Sequence, residues 1–204
     1  MFHAGLLGGG DGVLVLYTSM PKPETSAVLF APDHVGTEKA LAASSLKGWT
    51  VLRNNWYFEN LFYSLPSAIK SGTWYTAAGE GKIAHIARED LARAAAAALA
   101  SDKGGKTTYT LTGAQEYTTS EIAKLVSNAV GKPISVVQVP LEGLVQGMVG
   151  AGFPEPVARV FGSFDTNTAH GGLSGVTGDY KKLTGNDTTP FASWLAKNKQ
   201  AFLG

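Results

Sequence analysis

The stretch Trp49-Thr50-Val51-Leu52-Arg53-Asn54-Asn55-Trp56-Tyr57-Phe58-Glu59-Asn60 decides how the chain is read. Its first part follows Lys47-Gly48 and is a β-branched and aromatic run, the pattern of a buried strand leaving a helix. From Arg53 the character changes. Polar side chains, two of them adjacent asparagines, sit against Trp56, Tyr57 and Phe58 with neither the alternation of a strand nor the stripe of a helix. In an open α/β sheet the carboxyl end of a strand is where ligands bind, because chain reversals there open a crevice lined by loop residues. Asparagine amides in that place suit a carboxamide or a ribose, and the aromatic side chains suit a flat ring. A second reading stands beside it: a strand-to-helix corner whose asparagines cap the next helix and whose aromatics fill the core.

Working outward, residues 13–17 form a continuous apolar run, as in a parallel strand covered on both faces. Tyr17-Thr18-Ser19 falls at its carboxyl end, where hydroxyls can line the same crevice. After a proline-containing loop, Asp33 is expected to cap a helix reaching about residue 45, with Val35, Lys39, Ala42 and Leu46 on one face. A lysine on an apolar stripe either snorkels to its edge or reaches a partner such as a ligand hydroxyl. The glycines at 8–10 and 12 precede the first strand instead of following one. They do not fit a dinucleotide phosphate loop, and a flexible start is expected.

Downstream, the pattern predicts a helix over 61–70 broken early by Pro66, a strand over 72–75, a turn at 78–81 and a strand over 82–87. An alanine-rich helix over 88–101, acidic at Glu89-Asp90, suits close packing on a sheet. A strand over 106–111, a helix over 118–130 closing at Gly131 and a strand over 134–139 are expected to make a βαβ crossover. Residues 141–161 are helical with a break at 150–154. After a glycine-rich loop at 171–178, a last amphipathic helix over 190–202 turns Phe191, Trp194, Leu195 and Phe202 inward.

Composition narrows the function classes. The 204 residues are 44% hydrophobic and 16% charged, an ordinary globular balance long enough for a sizeable core. Seventeen Lys and Arg oppose sixteen Asp and Glu without a basic run, which argues against nucleic acid or an anionic membrane as partner. The absence of cysteine excludes disulfides, thiolate metal sites and a cysteine nucleophile. His3, His34, His85 and His170 lack the short spacing of a histidine metal site, so no metal is expected. No secretory leader or membrane-length run is evident, and a cytoplasmic location is expected.

Together the motifs Leu16-Tyr17-Thr18-Ser19, His34-Val35-Gly36-Thr37-Glu38-Lys39, Leu52 through Asn60, and Gly79-Glu80-Gly81-Lys82-Ile83-Ala84 before Arg88-Glu89-Asp90 resemble the NmrA-like group of atypical short-chain dehydrogenases/reductases, and most closely its bacterial NAD(P)H:quinone oxidoreductase branch. The resemblance implies an α/β fold: part of a Rossmann-like parallel sheet with helices on both faces, residues 1–60, plus a smaller substrate-side region and C-terminal helices, residues 61–204. It implies NADPH or NADH as cofactor, a quinone or similar small molecule as acceptor, and a homodimer as the assembly it allows. Tyr17, Thr18, Ser19, Lys39, Asn54, Asn55, Trp56, Tyr57, Phe58 and Glu59 would contact the cofactor, with Lys39 in the catalytic place. Trp56, Tyr57 and His85 would border the substrate. The tyrosine usual four residues before such a lysine is replaced by Val35, as in the NmrA-like branch, where quinone reductases stand beside non-catalytic redox sensors. The G-x-x-G-x-x-G unit that begins such proteins does not occur in the chain, which reads as N-terminally truncated and is expected to bind cofactor weakly. Quinone reduction demands less of a protein acid than carbonyl reduction does.

Overall fold

The structure is a computed structural model that describes residues 4–8, 13–101 and 105–203, with side chains from residue 15 onward. The chain opens with β1 (Ala4–Gly8), β2 (Val13–Ser19), helix α1 (Ala31–Ala43) and β3 (Gly48–Asn54). β2 and β3 run parallel, Ser19 lying opposite Arg53, so β2-α1-β3 is a crossover unit. After a 3₁₀ turn at Phe58–Tyr63 come α2 (Leu65–Ser71), β4 (Thr73–Thr76), β5 (Lys82–Ile83) and α3 (Arg88–Ala100). The chain then returns with β6 (Lys106–Leu111), parallel to β3, giving a four-stranded sheet in the order β1-β2-β3-β6. β7 (Tyr117–Thr118), α4 (Thr119–Val130), β8 (Ser135–Gln138), α5 (Leu141–Gly150), α6 (Glu155–Ala169), α7 (Asp179–Thr184) and α8 (Phe191–Asn198) complete the molecule, ending in a 3₁₀ turn at Lys199–Phe202.

The central strands β2 and β3 are buried on both faces because they are apolar on both. Leu16, Leu52 and Leu111 meet Leu91, Ala94 and Ala98 of α3, with Tyr180 of α7 closing that layer. Alanine at 94 and 98 leaves no bulk between helix and sheet, and both are 1% exposed or less. On the other face Tyr17 and Val51 are buried too, and Tyr17 reaches α1. The second core gathers Phe58, Leu65, Ile122, Phe191, Trp194 and Phe202, joining α2, α4 and α8 around the 3₁₀ turn. α4 begins with a reciprocal capping box between Thr118 and Glu121 and ends at Gly131 in the left-handed conformation.

Several expectations are corrected. The start is not simply flexible: Ala4–Gly8 is a strand, paired antiparallel to β2, while the glycines at 9, 10 and 12 lie outside the described residues. Asp33 does not cap α1. The cap position is Phe30, and Asp33 sits in the first turn after Pro32. Pro66 begins α2 instead of breaking it, since a proline's missing N–H costs nothing in a first turn. β5 is only two residues long, although Ile86 makes a separate bridge to Tyr57. β6 and β8 are not a crossover pair. β8 pairs parallel with β4 in a separate two-stranded sheet, while β6 joins β3.

Asp90 explains the acidic start of α3. It is 1% exposed and accepts hydrogen bonds from the Thr189 N–H at 2.7 Å, the Thr189 hydroxyl at 3.1 Å and Arg93 at 2.7 Å. It thereby ties α3 to the segment entering α8. Asp90→Asn turns an N–H toward one of those donors, and leaving a buried group unpaired costs about 2 kcal/mol. Chemical denaturation should show a loss of that size with an unchanged m-value.

Candidate functional site

At Asn54 the parallel strand ends, and the two asparagines divide their work. Asn55 is 1% exposed: its Nδ2 donates to the Leu173 carbonyl at 3.0 Å and its Oδ1 accepts from the Trp56 N–H at 2.7 Å. It fastens the strand end to the glycine-rich loop and is a structural residue. Asn54 is the opposite case, because its buried Oδ1 has no hydrogen-bond partner. The same is true of the Ser19 hydroxyl at the end of β2. Both residues line one cavity of about 430 Å³, which opens at the carboxyl ends of β2 and β3 and is also bordered by Thr18, His34, Trp56 and Tyr57. Orphaned buried polar atoms are costly unless something completes them, so this cavity is built to hold a polar ligand.

Arg53, next to Asn54, braces the strand end. The guanidinium donates to Glu38 of α1 at 3.1 Å and forms an ion pair with Glu24 at 2.7 Å, holding helix and loop to the strand end. His34, on the inward face of α1, meets the Tyr17 hydroxyl through Nδ1 at 2.8 Å. Burial pushes the His34 pKa below its ordinary value, opposed by the neighbouring Glu38 and Asp33 carboxylates.

A second cavity, of about 340 Å³, shares Trp56, Asn60 and Phe164 with the first. Trp56 and Phe164 stand 4.2 Å apart between ring centroids and form the partition. Beyond it the walls are largely apolar and aromatic, with Leu61, Trp74, Ile122 and Phe161 among them. The polar exceptions include His85 and Asp165. His85 is wholly buried, which drives its pKa down to about 3 against a hydrogen bond to the Ile83 backbone that opposes the shift. It is a neutral imidazole at any physiological pH. The Asp165 carboxylate accepts from the Thr76 hydroxyl and the Ala77 N–H, each at 2.7 Å.

Of the residues expected at the site, Thr18, Ser19, Asn54, Asn55, Trp56 and Tyr57 border the first cavity, and Trp56 and His85 the second. The others lie elsewhere. Tyr17 is buried behind His34. Phe58 belongs to the core with Phe191 and Trp194. Glu59 accepts from the Arg88 N–H at 3.0 Å and from Trp194 Nε1 at 3.2 Å, capping α3 from outside. Tyr57 is absent from the second cavity's walls, its ring lying under the Arg88 guanidinium.

Lys39 is exposed and borders neither cavity, so the geometry gives no support to a catalytic or ribose-binding role for it. The inward face of α1 carries Ala31 and His34, not the stripe through Val35, Lys39, Ala42 and Leu46. Lys39→Met should leave the denaturation midpoint within about 0.5 kcal/mol of the wild type, as expected of an exposed charge. The affinity of the protein as the cell makes it for NADPH should be equally unaffected; a loss of tenfold or more would restore Lys39 to the site. His34, Asn60, Phe164 and Asp165 were not anticipated at the cavities. A shift of one residue in the α1 stripe would have found His34; nothing in the pattern of α6 marks Phe164 or Asp165.

A largely parallel sheet with a polar crevice at its strand ends, adjoining an aromatic chamber, is a Rossmann-like α/β architecture. The chain is 33% identical over 178 residues to quinone oxidoreductase 2 of Escherichia coli K12, covering 87% of this chain and 62% of that one. It is 29% identical over 168 residues to NAD(P)H azoreductase of Xenophilus azovorans, covering 82% and 59%. The crystal structure of the Escherichia coli NADPH-dependent quinone oxidoreductase complexed with NADPH superposes with a TM-score of 0.86 at 32% identity, over 90% of this chain and 65% of that one. No protein-family model matches the chain. These likenesses accord with the resemblance of the chain's own motifs to the NmrA-like group of atypical short-chain dehydrogenases/reductases. The chain spans about six-tenths of the length of these curated relatives, 62% and 59%. Among the described residues no helix is long and apolar enough to cross a membrane, and no cluster of ligands suits a metal.

Proposed function

We propose that the protein is an NAD(P)H-dependent reductase that passes hydride to a quinone or a similar flat acceptor. The observation that carries this reading is the pair of cavities joined at Trp56, Asn60 and Phe164, one polar at the strand ends and one aromatic. In this arrangement the nicotinamide end of the cofactor occupies the polar cavity. The Ser19 hydroxyl and Asn54 Oδ1, buried and unpaired, fit the amide and hydroxyl groups of such a ligand. When bound, the cofactor supplies the hydride.

The chain's own residues do the rest. Trp56 and Phe164 make the wall against which two flat rings can stack. Leu61, Trp74 and Ile122 keep the acceptor's surroundings dry. Orientation of two bound reactants is itself worth several kcal/mol of the barrier, about 7 or more in favourable cases. The relatives support the acceptor class, being named for quinone and azo reduction.

The protein as the cell makes it should oxidise NADPH or NADH with repeated turnover when given benzoquinone-type acceptors. Tight cofactor binding without turnover across a panel of quinones would instead make it a dinucleotide sensor.

A further inference from the structure

The reduction of a quinone by hydride leaves a phenolate oxygen that must gain a proton, and the aromatic cavity contains one side chain suited to give it. Asp165 comes from α6 and borders that cavity. Its Oδ2 accepts both the Thr76 hydroxyl and the Ala77 N–H at 2.7 Å, and Thr76 is itself held by the Ala78 N–H at 3.2 Å. Oδ1 receives no hydrogen bond from the described residues. Two donors converging on one oxygen leave the other as the place for a proton.

The remaining titratable groups of the cavity are poor rivals. His85 is held neutral by burial and cannot act as an acid near neutral pH. Tyr63 and Tyr75 are 67% and 57% exposed at the mouth. From α5 the only charged group is Glu142, exposed and paired with Arg159; from β5 it is Lys82, also exposed. Burial is the largest influence on Asp165 and raises its pKa, the two donated hydrogen bonds oppose it, and no neighbouring charge contributes.

We propose that Asp165 is a catalytic residue, the proton donor to the acceptor bound in the aromatic cavity. The inference rests on the reductase reading. The hydride carries two electrons from the reduced nicotinamide to the quinone, which becomes a hydroquinone monoanion. The Asp165 O–H bond then breaks, its electron pair staying on the carboxylate. A new O–H bond forms on the phenolate oxygen, and water returns a proton to Asp165. The cofactor is oxidised by two electrons and the quinone leaves as hydroquinone. Before reaction, the same O–H donates a hydrogen bond to the quinone carbonyl.

The test is the affinity for 1,4-naphthoquinone, read from quenching of Trp56 and Trp74, from about pH 5 to about pH 9. No cysteine is present to form thioether adducts with the probe. The wild-type Kd should be flat on the acid side and rise about tenfold per pH unit above the Asp165 pKa. Asp165→Asn, whose amide accepts through oxygen and donates through N–H as the protonated acid does, should keep the acid-side Kd at every pH. Its kcat in NADPH-driven turnover should nevertheless fall at least about tenfold, because an amide has no proton to give. A pH-independent wild-type Kd, or an Asp165→Asn kcat equal to wild type, overturns the role of Asp165 and leaves the reductase reading standing. No quinone binding by either protein at any pH overturns both.

Discussion

Gly113→Ala should destabilise the protein by roughly 4 kcal/mol, the range reached when an added methyl meets something that cannot move. A Cβ at position 113 would stand 1.9 Å from the His85 carbonyl oxygen. That oxygen is backbone, not the tip of a flexible side chain, so either the loop after β6 or the segment after β5 must shift. The same loop is pinned by the Gly113 N–H, which donates to the Ala84 carbonyl at 3.1 Å. Because Ala84 and Ile86 are both fully buried, the displacement would run into the core beside the aromatic cavity. Thermal and urea denaturation of Gly113→Ala against wild type measures the effect; a loss under about 1 kcal/mol would show that the close approach is not needed.

The second large effect is a dependence of stability on pH set by His85. Its folded pKa of about 3, against an ordinary 6.5, means that the folded protein refuses a proton the unfolded chain accepts. The stabilising contribution is therefore complete above about pH 6.5 and is lost as the pH falls toward 3, at about 1.4 kcal/mol per unit. From pH 6.5 to pH 5 the loss is about 2 kcal/mol. His34, also depressed by burial, adds a slope of the same sign. Asp165, raised by burial, works in the opposite direction, since the folded state binds its proton more readily. The contribution of His85 is isolated by comparing wild type with His85→Gln, which should be less stable at neutral pH and visibly flatter between pH 6.5 and pH 5. Parallel curves for the two proteins would show that His85 is not buried as a neutral ring.

Much of this fold was legible where local chemistry and tertiary position agree. β6 occupies residues 106–111, as expected, and α3 follows its alanines. α4 starts and stops at its capping box and Gly131. The organising stretch was legible in kind, a strand end that becomes a ligand wall. It was not legible residue by residue. Nothing in two adjacent asparagines says that Asn55 will bind Leu173, 118 residues away, while the oxygen of Asn54 is left unpaired.

The misses have physical causes. α1 mixes polar and apolar residues with no dominant apolar face, so its buried side is chosen by the sheet and not by its own pattern; only Ala31 and His34 of that helix are buried. The expected β6-β8 crossover failed because local order does not say which sheet a strand joins, and β8 found β4. α7 is six residues long, too short to leave a period, yet it supplies Tyr180 to the core. Asp165 sits in the middle of a fifteen-residue helix, where a carboxylate ordinarily faces water; only the approach of Thr76 and Ala77 gives it another meaning.

The most direct test of the paired cavities is a crystal structure of the protein as the cell makes it, with oxidised cofactor and a hydroquinone bound together. The nicotinamide ring should lie in the cavity of Ser19 and Asn54, and the hydroquinone in that of Trp74 and Asp165. The two should meet beside Trp56 and Phe164 with reacting atoms about 3–3.5 Å apart. A hydroquinone outside the aromatic cavity, or a nicotinamide ring far from Ser19 and Asn54, would contradict the assignment of both sites.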